Sequence, residues 1–441
     1  MPVPFVFRRA GARVVGALAL ALGAPVVPAA AQRPLSLPQA LALARAAAPT
    51  IAEARGVERS AAAARRAAVS RFIPSVNLTA NAAEQNPVTP RVNPATGELI
   101  SGRWAMSEGV AINLDLFSGF NRLADLRGAR AALDAAEART EAQDVALALQ
   151  VKQQFFASLQ AREAERAAEE QLRLAEAQLA ASRLRVIART VTRSDSLRAT
   201  LAVAQARLAI GTARNDRLVA DAALARLTGQ AAAVTADSAG LADPRTLALD
   251  SAALVALAGR TPAVRAAESR VAEAEQNVRG ARSGYWPTLA LSWVRNRVAT
   301  APRFDPFPPQ FNHAGQLRFA INVPVWNQYV REQQLVQAQV VAATADATAR
   351  DARLAARQQV LQGFGAWRTA LLQLDVQAAS VVAAEEDLRV QEQRYALGAS
   401  TQLDVQVSQN ALAAARLALV QARFAARLAR AQLEAAVGRD L

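Results

Sequence analysis

The chain carries one long pattern twice. Pro49 and Pro74 return as Pro262 and Pro287, an offset of 213 residues. Ala111-Ile112-Asn113-Leu114-Asp115-Leu116-Phe117 returns as Ala320-Ile321-Asn322-Val323-Pro324-Val325-Trp326, offset by 209. The same 209 carries Phe155 onto Phe364, Asp195 onto Asp404 and Gly229 onto Gly438. A period this long exceeds any solenoid unit. The repeated object is half a protein, and each half reads helix, strand, strand, long helix, helix.

The strand segments show period two. Val76, Leu78, Ala80 and Ala82 alternate with Asn77, Thr79 and Asn81, and Val110, Ile112, Leu114 and Leu116 alternate with Gly109, Ala111, Asn113 and Asp115. Leu289, Leu291 and Trp293 then alternate with Thr288, Ala290 and Ser292, and Leu317 to Val325 repeats the pattern. The strands are expected at about 75–84, 106–117, 288–297 and 315–326. About ten residues is the length of a tilted strand crossing the hydrocarbon layer. The connections inside each pair are rich in proline (Pro87, Pro90 and Pro94; Pro302, Pro306, Pro308 and Pro309) and read as surface loops. Trp104, Trp286, Trp293 and Trp326 fall near the expected strand ends, where interfacial rings are favoured.

Between about 121 and 187 there is no proline, and Arg, Glu, Gln, Leu and Ala dominate, all strong helix formers. At 1.5 Å per residue this helix is roughly 100 Å long. Leu172, Leu179 and Val186 form a heptad seam. A return helix follows at about 195–227 and stops at Gly229. The second half offers about 329–397, then 404–437 and Gly438. Each return helix is half as long as its partner, and the short helices at about 50–72 and 262–285 can continue it end to end. Residues 230–250 read as an equatorial connector between a first repeat (32–229) and a second (251–441).

Residues 1–31 read as an export signal: Arg8, Arg9 and Arg13, then the apolar run Val14 to Leu22, then Ala29-Ala30-Ala31. Without these three arginines the net charge of +14 becomes +11. The arginines are spread among glutamates along helical faces, with no basic block, which argues against a nucleic-acid partner. No later stretch can be a transmembrane helix, so a membrane-crossing form must be a closed β-barrel. Four strands cannot close one. Several copies sharing a barrel, under cyclic symmetry, can.

At this point the residues resemble a known family, the TolC-like outer-membrane efflux proteins, over essentially the whole mature chain. Phe72-Ile73-Pro74-Ser75 and Tyr285-Trp286-Pro287-Thr288 look like the family's passage from helix into strand. Leu116-Phe117-Ser118-Gly119 and Pro324-Val325-Trp326-Asn327 resemble its passage from strand into long helix. Arg394-Tyr395-Ala396-Leu397-Gly398, followed by Leu403-Asp404-Val405, resembles its helix tip. The resemblance implies a mainly α protein with a membrane β-barrel: a homotrimer sharing a 12-stranded barrel, continued by a long α-helical coiled-coil barrel across the periplasm. It implies outer-membrane lipid around the barrel, and a periplasmic adaptor and an inner-membrane pump as partners. The duct would serve tripartite efflux or type I secretion.

The family's entrance aspartate matches Asp404, and its gating tyrosine and aspartate match Tyr395 and Asp195. The adaptor-contacting tips match Arg189, Thr190 and Val191 on the first hairpin and Gly398, Ala399 and Ser400 on the second. Val407 stands where some members carry another entrance acid, and Arg189 replaces the family's tip glycine. Both aspartates also fit capping boxes, Thr192 to Asp195 and Thr401 to Asp404. A cap one turn into a tip helix can face a lumen as well.

An enzyme is not expected. The single histidine, His313, falls in an expected loop, and no cysteine, phosphate cradle or nucleophile elbow occurs. No cofactor or metal is expected. The alternative from another class is a non-conducting exported coiled-coil scaffold, which leaves the four alternating segments unexplained.

Overall fold

The structure, a computed structural model, describes residues 34–441 except 89, 93–96, 98, 101, 189–191, 233, 240, 242, 247–249 and 306–311. The export signal expected at 1–31 therefore lies outside the described residues.

The elements run α1 (Leu37–Ala47), α2 (Pro49–Ser70), β1 (Ser75–Glu84), β2 (Arg91–Val92), β3 (Leu99–Ile100), β4 (Trp104–Ser118), α3 (Asn121–Ile187) and α4 (Arg193–Thr228). The second half gives α5 (Ser251–Ala258), α6 (Pro262–Ser283), β5 (Thr288–Ala301), β6 (Asn312–Asn322), α7 (Val330–Ala396) and α8 (Gln402–Val437). Both long helices have 67 residues and both return helices 36. Among the described residues no helix is long and apolar enough to cross a membrane.

Helices α4 and α8 start two residues before the expected 195 and 404. Thr192 and Thr401 are the N-caps, and each closes a capping box with its aspartate at the third helical position. At the other end, a residue with positive φ, Gly229 or Gly438, terminates each return helix. A Cβ on Gly438 would lie 2.9 Å from Pro262 Cδ, because the end of α8 abuts the start of α6. Likewise the end of α4 abuts Ala47, the last residue of α1. Helix α1 has its own capping box from Ser36 and Gln39, and α5 starts after Asp250; both are short, alanine-rich helices absent from the sequence expectations.

Four strands form one antiparallel sheet in the order β1-β4-β5-β6. Strand β4 carries the first repeat and β5 the second, so the central pairing joins the halves. Each central strand has a partner along its whole length, and the ladder extends to Trp104↔Ala301, beyond the expected ends. Strand β6 stops at Asn322 rather than 326, because Pro324 has no N–H to donate. Trp293 consequently sits in mid-strand opposite Ile112 and Leu317, not at an end. A bulge leaves Leu116 out of register, and Phe117 takes its place opposite Leu289.

The turn from strand to long helix is made by two successive residues with positive φ in each repeat. They are Gly119 and Phe120 before α3, and Gln328 and Tyr329 before α7. Glycine is required at 119, where a Cβ would lie 2.6 Å from the Ser283 carbonyl oxygen.

The core lies where helices from both halves meet the connector. Val151 and Val360, and Leu224 and Leu433, are fully buried pairs related by the 209-residue offset. Ala40, Phe155 and Leu159 fill the first cluster, and Leu254 and Val264 the second. The connector is held against the long helices. Leu35 bridges Ala236, Arg162 donates to the Ala236 carbonyl at 3.0 Å, and Trp367 donates to the Pro244 carbonyl at 2.9 Å. Below this level the hairpins carry matching ionic rungs, Arg207–Glu176 at 3.1 Å and Arg416–Glu385 at 2.8 Å.

Candidate functional site

Two surfaces can carry function: the faces of the sheet and the tips of the hairpins. Cross-strand partners point to the same side of a sheet. The register Val76↔Ile112↔Trp293↔Leu317 therefore defines an apolar face, joined by Leu114, Leu291, Phe319 and Ile321. The opposite face carries Asn77, Asn81, Asn113, Asn296, Gln316 and Asn322. At the foot of the sheet Phe120 stacks edge-on against Phe117 and Trp286, with centroids 5.3 and 5.9 Å away, and Trp326 meets Tyr329 at 5.1 Å. At the other end Trp104 meets Phe304 at 5.1 Å. Aromatic groups thus bracket the alternating band at both ends, which is the distribution of a membrane barrel wall.

At the second tip, Asp404 is exposed and its Oδ2 accepts three hydrogen bonds. Thr401 N–H donates at 2.8 Å, the Thr401 hydroxyl at 2.7 Å and the Ser400 hydroxyl at 3.1 Å. These donors, the Thr401 amide foremost, hold the Asp404 carboxyl below the usual carboxylate range. The group is therefore a fixed negative charge at neutral pH. Gly398 turns the chain with φ +76°, and the Ala399 amide returns to the Arg394 carbonyl at 2.8 Å. Ser400 also donates to Gln391 Oε1 at 3.1 Å, tying the tip loop to α7.

At the first tip, Asp195 Oδ2 accepts from Thr192 N–H at 3.0 Å and from the Thr192 hydroxyl at 2.7 Å. Arg189, Thr190 and Val191 lie outside the described residues. Within the single chain Tyr395 and Asp195 occupy different contacts. The Tyr395 ring lies beneath the Arg185 guanidinium, 4.7 Å from its centroid, across the α3–α7 boundary. Arg185 was not legible as a tip residue, because its partner is 210 positions away (395 − 185) and no local spacing signals it.

A sheet with one apolar and one polar face, continued by two long helical hairpins with charged tips, defines a membrane channel whose wall is β and whose duct is α. The chain belongs to the Outer membrane efflux protein family, whose profile matches residues 40–230 and 253–439. That family is one of transport ducts, not enzymes. Similar solved structures include the channel protein CusC (TM-score 0.78, 18% identity, covering 91% of this chain and 92% of that one). The outer membrane protein VceC of Vibrio cholerae aligns with TM-score 0.76 and 22% identity, over 92% of this chain and 96% of its own. The open-state MtrE outer membrane channel of Neisseria gonorrhoeae gives 0.76 and 20%, over 91% and 89%. No curated protein sequence matches the chain closely enough to count as a relative. The protein is an outer-membrane efflux channel.

Proposed function

We propose that three copies of this chain assemble one exit duct, with a 12-stranded barrel in the outer membrane and a helical tunnel reaching across the periplasm. The carrying observation is the sheet. Its edge strands β1 and β6 each pair on one side only within the chain, and their apolar residues Leu78 and Ile321 are 78% and 72% exposed. Edges and apolar face alike are covered if β1 of one copy pairs with β6 of the next and lipid surrounds the ring. The same closure brings helical hairpins side by side and covers their exposed Leu208, Leu354 and Leu372.

In this assembly the three Asp404 carboxylates ring the periplasmic entrance and attract cations. Tyr395 and Asp195 gate it when hairpins approach, with Arg185 competing for the tyrosine ring. The tips Arg189, Thr190, Val191, Gly398, Ala399 and Ser400 dock the adaptor, which delivers substrate from an inner-membrane pump. The chain reaches the membrane as an exported protein whose signal, residues 1–31, is removed. The test is the mass and conductance of the detergent-extracted protein. A trimer that opens ion-conducting pores in planar bilayers is expected; a helical monomer that inserts nowhere would overturn the proposal.

A further inference from the structure

The apolar face of the sheet is interrupted at one level. The register Ala80↔Glu108↔Arg297↔His313 runs across all four strands, and the next row toward the helices is Leu78↔Val110↔Arg295↔Gly315. These rows lie on the side that carries Ile112, Trp293 and Leu317, not on the asparagine side. Two arginines and a histidine thus occupy the face that, on the barrel reading above, meets lipid. A lone cation in the middle of that face would cost roughly 2–4 kcal/mol, and near its edge roughly 0–1.

Their height decides between these. A strand rises about 3.3 Å per residue, and a tilt near 40° leaves about 2.5 Å along the membrane normal. Glu108 is nine residues from Phe117 at the foot, so its row stands roughly 23 Å above the lower aromatic ring. The apolar band of such barrels is about 25 Å tall. The Glu108 row is therefore at the upper edge of the hydrocarbon, where acyl chains give way to headgroups, and Trp104 stands beyond it. The Arg295 row, level with Val110 and two residues lower, stands roughly 18 Å up, so Arg295 meets the headgroups only by extending its stem upward.

The side chains there form a built cleft. Leu78, Val110, Glu108, Arg295, Arg297 and His313 line a depression of about 590 Å³. The two apolar side chains make a wall suited to the start of an acyl chain. Glu108 and Arg297 are ion-paired, which fixes the guanidinium in place and leaves the cleft with more basic than acidic groups. A guanidinium offers forked donors that match phosphate oxygens, and a second one beside it allows two-point recognition.

We propose that this cleft binds the phosphate-bearing headgroup of an outer-leaflet glycolipid of the lipid A type, with an acyl chain descending over Leu78 and Val110. Arg295 and Arg297 hold the phosphate, His313 supplies a further donor, and Glu108 sets the position of Arg297 while opposing the anion.

The test uses the full-length protein, extracted, stripped of lipid and incubated with bisphosphorylated lipid A. Retained lipid is counted per protein by native mass spectrometry. The pair R295Q/R297Q should retain at least ten-fold less than the parent, and Arg318→Gln, on the opposite face, should retain as much as the parent. Glu108→Gln, which removes the opposing carboxylate, should retain more. Dephosphorylated lipid A should bind the parent no better than R295Q/R297Q. Equal retention by the double variant while it still conducts in bilayers would overturn the cleft and leave the barrel standing. Displacement of lipid A by an equimolar amount of inorganic phosphate would make this a simple anion site and also overturn it. If the double variant fails to assemble, Arg295→Lys and His313→Gln take its place, with a several-fold loss expected and parental retention overturning the assignment. A parent that inserts nowhere would overturn the barrel and the cleft together.

Discussion

The Lys152 ammonium on α3 lies 2.6 Å from the Glu434 carboxylate on α8, so the long helix of the first repeat is tied to the last helix of the second. Asp440 closes on the same ammonium at 2.8 Å. The equivalent of Lys152 in the second repeat is Leu361, 209 residues on, so this tie occurs once per chain. Removing one partner of a buried pair leaves the other charged and desolvated. Lys152→Met should cost on the order of 3 kcal/mol, reduced to the extent that Arg430, 3.1 Å from Glu434, takes over. Urea unfolding of the detergent-solubilised protein measures it, and an unchanged midpoint would mean the tie is not stabilising.

The tie also has a pH signature. Burial by itself would lower the Lys152 pKa, but the hydrogen bonds it donates to Asp440 and Glu434 outweigh it and the net direction is upward from 10.5. A raised folded value means the ammonium's contribution is complete below pH 10.5 and is lost as the pH climbs through the folded value. The parent should show an alkaline fall in melting temperature that Lys152→Met lacks.

A buried acid shows the same direction at the other end of the scale. Asp221, 4% exposed, takes a 2.5 Å hydrogen bond from the Ser158 hydroxyl. Desolvation raises its pKa from 3.8 despite that bond and the nearby Arg217 and Arg162. The protonated form is favoured in the fold, so its contribution is complete below pH 3.8 and is lost as pH rises through the folded value. Asp221→Asn should therefore be more stable than the parent at pH 7, with the gain vanishing in acid. Ser158→Ala, which leaves the carboxylate without its donor, should cost about 1–3 kcal/mol at pH 7.

At the tip, Asp404 combines a cap with a charge. Asparagine can keep the oxygen that faces Thr401 while dropping the charge, whereas alanine loses both. Asp404→Ala should therefore lower the melting temperature more than Asp404→Asn does. Both variants should lose cation preference and multivalent block in single-channel recordings. Selectivity retained in Asp404→Asn would reduce Asp404 to a cap.

In the sheet, arginine at Ile112 or Leu317, five residues above the Phe117 row and so near the midplane, should cost about 2–4 kcal/mol of barrel stability. Arginine at the neighbouring Asn113 or Gln316 should cost far less, because adjacent residues point to opposite sides. Heat-modified gel mobility of the four variants reads this directly; equal tolerance would overturn the assignment of faces.

The long helices and the four alternating segments were legible because each rests on a strong local signal: periodicity, proline punctuation and terminal glycine. The repeat then supplied a second copy of every signal. What escaped was set by contacts between distant segments. Pro324 does mark in the sequence where β6 stops, but nothing near Arg297 says that β5 runs on to Ala301; that length comes from its pairing with β4 as far as Trp104. Likewise Tyr395 finds Arg185, and Lys152 finds Glu434, only through helix packing. Asp404 was legible twice over, as a cap by its spacing and as an entrance acid by resemblance, and its hydrogen bonds account for the first of these.

The matched ionic rungs have a consequence for how partners can meet this protein. Glu176 lies 11 residues before Ile187, the end of α3, and Glu385 lies 11 before Ala396, the end of α7. Duplication has thus passed on a depth as well as a pattern, and α3 and α7 end equally far below their rungs. On the assembly proposed above, a partner that recognises the span from rung to helix end on one hairpin meets the same span on the other.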